Sequence, residues 1–137
     1  DEFTTLFYAV LNMSNQMMTY INAGHNPPLL FRGDDVIRLK TGGIPVGLFQ
    51  DAEYRQETLQ LLPDDLLVIY SDGFSEALNP EEEEFGESRI IEIVGEHLEY
   101  TPAQIISKLE EAVSEFHAPD TEFNDDRTIV VLKARHK

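Results

Sequence analysis

The chain has 137 residues, 42% of them hydrophobic, so it can bury a core and is expected to form one globular domain or a large part of one. Its 26 acidic and 10 basic residues give a formal net charge of -16, which disfavours nucleic acid and anionic membranes as partners. The absence of cysteine excludes disulfides and zinc-thiolate sites. Without a membrane-length apolar run or a signal-peptide pattern, we expect a cytoplasmic protein.

The first 45 residues predict short antiparallel strands. β-branched and aromatic side chains dominate residues 4–11, and a polar turn separates them from a second apolar stretch at 17–23, which predicts a hairpin. Residues 29–31 and 36–39 predict another pair of strands around a Gly33-Asp34-Asp35 turn. The Gly42-Gly43 pair and Pro45 then break the chain.

The second half of the chain predicts a buried strand, two helices and a closing strand. The apolar run at 66–70 is bounded by turn residues, which predicts a strand buried on both faces. After an acidic loop at 80–84, the spacing of Ile90, Val94 and Leu98 predicts a helix. Residues 128–132 predict the last strand.

The second helix has the clearest local features. Thr101 and Gln104 have the spacing of a capping box, and Pro102 suits the first helical turn. Its buried stripe is predicted to be Ile105, Leu109, Ala112, Val113 and Phe116. The helix should end before Pro119, so the chain as a whole indicates an α+β fold with largely antiparallel sheets.

Ser71-Asp72-Gly73 follows directly on the buried strand and is the first candidate site. A carboxylate at the end of a rigid strand is held well enough to bind a cation, and glycine lets the backbone or a ligand approach closely. An isolated Asp-Gly pair is more often only a turn. Glu76, four residues further on, is left out of the predicted ligands because it is as easily explained as a solvated acid.

Asn124-Asp125-Asp126, before the last strand, is the second candidate. Adjacent carboxylates repel unless hydrogen bonds or a cation offset their charge, so the pair suits a hard metal ion, although a solvated turn is the more common meaning. His25 lies in a compact turn with no second histidine or nearby acid in sequence. We interpret that turn as a structural or substrate-side loop.

Taken together and in order, six motifs closely resemble the bacterial sporulation stage II protein E branch of the PPM metal-dependent protein serine/threonine phosphatases. They are FTTLFY at 3–8, AGHNPP at 23–28, GIPVGL at 43–48, SDGFSEA at 71–77, FG at 85–86 and DDRT at 125–128. They extend over almost the whole chain, and their order makes the resemblance specific.

The resemblance implies an antiparallel β-sandwich flanked by helices, as in type 2C phosphatases. It places the metal ligands at Asp72 and Asp125, with Asp126 shaping the loop beside them. A further aspartate from an earlier family motif would bridge to a second ion, and no residue of 1–137 matches that motif. Residues 1–137 are therefore predicted to be the C-terminal portion of a single PPM-type domain, N-terminally truncated and inactive alone.

The function that the resemblance implies is hydrolysis of phosphoserine or phosphothreonine by a water bridging two Mn²⁺ or Mg²⁺ ions. The implied substrate is a phosphorylated anti-anti-sigma protein of the STAS type, and the implied parent carries an upstream sensor or receiver domain. Loss of neighbouring strands would expose residues 4–11 and predicts a homodimer. Two alternatives stay open: a non-catalytic pseudo-phosphatase that binds or regulates, and an acidic scaffold unrelated to phosphatases.

Overall fold

A computed structural model describes residues 2–117 and 126–135 of the chain. Its elements, in chain order, are β1 Leu6–Asn12, β2 Met17–Ala23, β3 Leu29–Arg32, β4 Asp35–Arg38, β5 Gly42–Gly43, β6 Glu57–Gln60, β7 Leu66–Tyr70, α1 Asp72–Ser75, α2 Gly86–Gly95, α3 Pro102–Phe116 and β8 Ile129–Lys133. The order of strands, two longer helices and a final strand is the predicted α+β arrangement.

The strands form two four-stranded sheets. In the first, β2 pairs with β1, β5 and β6; in the second, the order is β4-β3-β7-β8. All the pairs of the second sheet are antiparallel. The β1–β2 and β3–β4 hairpins and the β7 strand are confirmed, and β8 begins one residue later than predicted.

The fold has three layers: the first sheet, the second sheet and the helices. One apolar core lies between the two sheets, and another lies between the second sheet and the helices. Alternate residues of β7 face opposite ways, so Leu66, Val68 and Tyr70 pack against the helices while Leu67 lies in the core between the two sheets. On the helical side the main buried residues are Phe74, Phe85, Ile90, Val94, Ile105, Leu109 and Val113. In the described residues helices cover only the outer face of the second sheet. The β7 strand is thus buried on both sides, as predicted.

The prediction that the first 45 residues are entirely antiparallel is wrong at one point. Gly42 and Gly43 form a short strand, β5, that runs parallel to the end of β2. A Cβ atom at Gly42 would lie 1.8 Å from the backbone oxygen of Asn22, so only glycine allows this approach. Two glycines carry no side-chain pattern, which is why the sequence indicated only a break there.

The helices agree with the prediction except at their ends. Thr101 and Gln104 form the capping box of α3, and Ile105, Leu109 and Val113 are its fully buried stripe. This helix ends at Phe116, ahead of Pro119, which lies outside the described residues. The first predicted helix, α2, ends at Gly95, so Leu98 packs against the core from the turn that follows.

An ion pair between the half-buried Arg32 and the buried Asp65 closes the end of the second sheet opposite Asp72. Asp65 is 2% exposed and precedes β7, and its carboxylate accepts hydrogen bonds from Arg32 Nη2 at 2.7 Å and from the Leu62 N–H at 2.7 Å. Hydrogen bonding to Asp65 raises the pKa of Arg32. The same Arg32 nitrogen donates to the Gln60 carbonyl, so this pair ties β6 to both β3 and β7.

Strand β1 lies at an edge of the first sheet and presents apolar side chains to solvent. Leu6, Tyr8 and Val10 point outward and are 48%, 58% and 54% exposed. Exposed strands of this kind favour pairing with another chain, and the expected homodimer stays a prediction. In the described parts of the chain, no helix is long and apolar enough to cross a membrane.

Replacing Asp65 by alanine should lower the free energy of unfolding by about 1 to 3 kcal/mol, because the Leu62 N–H and Arg32 lose a buried acceptor. Denaturant unfolding measures this change. The control is Asp51→Ala, an exposed aspartate, which should cost less than about 0.5 kcal/mol. Equal stability of the two variants would contradict the assigned role of the Asp65 pair.

Candidate functional site

The antiparallel pairing of the second sheet brings three separate segments to the end of β7. Both β3 and β8 run antiparallel to β7, so the residues that precede each of them lie beside the residues that follow Tyr70. Those segments are the 24–28 turn before β3, the Ser71-Asp72-Gly73 motif, and residues 126–128 before β8. The candidate site is therefore built by sheet topology.

Ser71 and Gly73 join the Asp72 motif to the segment that leads into β8. The Ser71 N–H donates to the Thr128 carbonyl at 3.0 Å, and Ser71 Oγ accepts from the Thr128 N–H at 2.9 Å. A Cβ atom at Gly73 would lie 2.4 Å from the Asp126 carbonyl oxygen, so a side chain there would displace Asp126. This close contact is the structural reason for glycine in the motif.

Asn26 connects the 24–28 turn to Asp72. Its Nδ2 donates to Asp72 Oδ1 at 2.5 Å, a contact between residues 46 apart in sequence. The turn is supported by Asn22, which is 3% exposed: its Oδ1 accepts from the His25 N–H at 2.8 Å, and its Nδ2 donates to the Leu39 carbonyl at 3.0 Å. These contacts fix the position of Asn26 relative to the sheet.

A polar cleft of about 390 Å³ opens between the turn and the Asp72 motif. Its lining consists of Thr5, Gly24, His25, Asn26, Ser71, Asp72 and Glu76. His25 Nδ1 lies 2.7 Å from the Asn26 carbonyl oxygen, which can only accept, so Nδ1 carries the proton and Nε2 is the remaining ring nitrogen. The cleft is lined mainly by polar oxygen and nitrogen atoms of the kind that contact hydrated cations and phosphoryl groups.

Tyr70, Glu87 and Arg38 form a network beneath the site. The buried Tyr70 hydroxyl donates to Glu87 Oε2 at 3.2 Å, and Arg38 Nε donates to Glu87 Oε1 at 2.7 Å. Burial and the nearby Glu87 carboxylate raise the pKa of Tyr70 well above its usual value, because both disfavour the phenolate. Tyr70 therefore remains a neutral donor and anchors α2 to the end of β7.

Of the two predicted metal ligands, the structure describes only Asp72. Asp72 lies at the end of β7, exposed beside the cleft. Asp125 lies outside the described residues; its neighbour Asp126 is exposed and in contact with Gly73. Within residues 2–117 and 126–135, no group of three or more His, Asp or Glu side chains is arranged to hold a metal ion. The Asp72 and Asp125 metal site stays a prediction.

Three contributions to the cleft were not predicted from sequence: the Asn26 contact with Asp72, the buried support from Asn22, and the position of Glu76 along the wall. The AGHNPP motif singled out the turn, but no sequence spacing links it to Asp72. His25 lines the cleft, and the interpretation of its turn as a structural or substrate-side loop stays a prediction.

The sequence comparisons agree on one family. The family model for stage II sporulation protein E (SpoIIE) matches residues 1–135. The phosphoserine phosphatase RsbU of Bacillus subtilis is 29% identical over 136 residues, which cover 97% of this chain and 39% of RsbU. The chain thus spans well under half the length of this relative.

Solved structures show the same fold. The SiaA-PP2C domain of Pseudomonas aeruginosa superposes with a TM-score of 0.79 at 19% identity, covering 94% of this chain and 51% of that one. The Mn-presoaked phosphatase domain of SpoIIE from Bacillus subtilis gives a TM-score of 0.65 at 21% identity, covering 97% and 57%. With the match of the family model over nearly every residue, the chain belongs to the SpoIIE and RsbU branch of the PPM, type 2C-like phosphatase family.

Proposed function

We propose that this chain supplies part of the active site of a protein phosphatase that hydrolyses phosphoserine or phosphothreonine with Mn²⁺ or Mg²⁺. The observation that carries the proposal is the placement of Asp72. Its carboxylate stands at the end of a strand buried on both faces, is held by Asn26, and faces a polar cleft. The family relationship and the phosphoserine phosphatase RsbU support the same reaction class.

The donor set at the cleft fits a hard cation on this side of the site. The side chains that line it offer carboxylate, hydroxyl and amide oxygens, and the chain has no cysteine thiolate to favour a softer metal. We assign Asp72 and Asp125 as ligands to one ion, while the ligands that complete a two-ion site come from outside residues 1–137. When bound, such ions activate water as a nucleophile and offset the charge of the phosphoryl group.

The residues of this chain then have separate roles. Asp72 binds the cation, and the rigid β7 strand keeps its backbone in place. Gly73 lets the backbone approach at Asp126, in the 126–128 segment that leads into β8. Ser71 holds that segment through its hydrogen bonds with Thr128. The residues of this chain thus bind the cation and hold the segments around it in place. The chain has no cysteine that could serve as a nucleophile.

The proposed substrate is a phosphorylated anti-anti-sigma protein, as the family resemblance implies. The charge of the chain supports recognition through a bound cation, because a net charge of -16 would otherwise repel a phosphorylated partner. We also propose that residues 1–137 are the C-terminal portion of one phosphatase domain, whose parent carries a sensor or receiver domain.

The remaining alternative is a pseudo-phosphatase that keeps the fold and binds a partner without catalysis. Family membership removes the unrelated acidic scaffold, but catalysis depends on the earlier aspartate motif. The sequence of the full-length protein separates the two functions. An intact earlier motif favours the enzyme, and its loss favours the binding module.

Changing Asp72 to asparagine in the full-length protein should reduce Mn²⁺-dependent hydrolysis of a phosphoserine protein at least about a hundredfold, because a direct ligand is lost. The fold should be unchanged, since Asp72 is exposed. Asp35→Asn, an exposed aspartate at the far end of β3 and β4, is the matched control and should keep full turnover. Wild-type turnover by the Asp72 variant would refute the assignment.

The isolated 137-residue chain should show turnover at background level and weak Mn²⁺ binding, because the ligands that complete the two-ion site are not among its residues. Release of phosphate from the same phosphoserine protein measures the first quantity, and isothermal titration with Mn²⁺ the second. Circular dichroism is the control for folding. Robust hydrolysis by the isolated chain would show that its own residues complete the site.

A further inference from the structure

We propose that Asn26 is a positioning residue for Asp72. Its amide donates a hydrogen bond to Oδ1 of the carboxylate and so leaves Oδ2 to bind the cation. The inference rests on the proposed role of Asp72 as a metal ligand and adds a residue that sets the geometry of that ligand. It concerns the AGHNPP turn, whose role in the site the sequence left open.

The contact itself is the first argument. Asp72 is exposed, and an exposed aspartate ordinarily samples several side-chain rotamers. A hydrogen bond from Asn26 Nδ2 to Oδ1, at 2.5 Å, restricts that choice. Hydrogen bonds to a charged acceptor are roughly twice as strong as those between neutral groups, so this one can hold the carboxylate in a single orientation.

The rigidity of the donor is the second argument. Asn26 precedes Pro27, and a residue before proline is confined to extended backbone. On its other side the turn contains Gly24, whose φ is +72°, and it is tied to the buried Asn22 through the His25 N–H. An amide mounted on so constrained a turn can position its partner, because little conformational entropy remains to be lost.

The chemistry of the amide is the third argument. A lysine or arginine at position 26 could also hold the carboxylate, but its positive charge would repel the cation that Asp72 is proposed to bind. Asparagine gives the hydrogen bond without a charge, so it orients the ligand and leaves its negative charge available to the metal. A neutral donor is therefore the suitable residue type at this position.

The test uses the full-length protein and two substitutions of Asn26. Asn26→Leu keeps the approximate shape of the side chain and removes the hydrogen-bond donor. Asn26→Ser keeps a polar turn residue, but its hydroxyl is one bond shorter than the amide and does not reach Asp72. We expect both to raise the Mn²⁺ dissociation constant about ten- to a hundredfold, measured from free Mn²⁺ by electron paramagnetic resonance. At saturating Mn²⁺, kcat should return to near the wild-type value.

Asn15→Leu is the matched control, because the Asn15 side chain also makes a hydrogen bond, but to the Met17 N–H in the β1–β2 turn, at the opposite end of β2 from the 24–28 turn. It should lower the metal-free thermal midpoint without changing Mn²⁺ affinity. If the Asn26 variants bind Mn²⁺ within about twofold of wild type while Asp72→Asn does not bind it, the positioning role is wrong and the metal site stands. If Asp72→Asn itself binds Mn²⁺ normally, the proposed function fails instead.

Discussion

Strand β7 lies between β3 and β8, and its side chains are buried toward the helices on one face and toward the first sheet on the other. A strand confined in this way can neither slide nor tilt without opening both cores, because a shift of one residue would exchange its two faces. The position of Asp72, two residues past Tyr70, is therefore determined by packing well away from the cleft. This confinement fixes the backbone that carries an exposed carboxylate, as the proposed role of Asp72 as a metal ligand requires.

Two close backbone contacts fix the positions of the segments around the cleft. Gly73 allows Asp126 to approach the end of β7, and Gly42 allows β5 to lie against Asn22, which in turn supports the turn carrying Asn26. In both places a Cβ atom would collide with a backbone oxygen. The small residues thus serve the site by permitting contacts between backbones, and the polar side chains then complete it with hydrogen bonds.

The elements that sequence predicts best are those specified locally. The capping box at Thr101 and the continuous apolar run of β7 need no knowledge of distant residues, and both were predicted correctly. The β5 strand was missed because its glycines have no side chains to form a pattern, and its pairing depends on a close backbone approach to Asn22. The contact between Asn26 and Asp72 was missed for a related reason, since it exists only once β3 has paired with β7.

The assignment of Asp72 as a metal ligand is tested most directly by anomalous diffraction from crystals of the full-length protein soaked in Mn²⁺. The assignment predicts an anomalous peak within about 2.0 to 2.6 Å of Asp72 Oδ2 and of the Asp125 carboxylate, with Oδ1 still hydrogen-bonded to Asn26. Mn²⁺ peaks confined to other parts of the protein, with Asp72 facing only solvent, would contradict it.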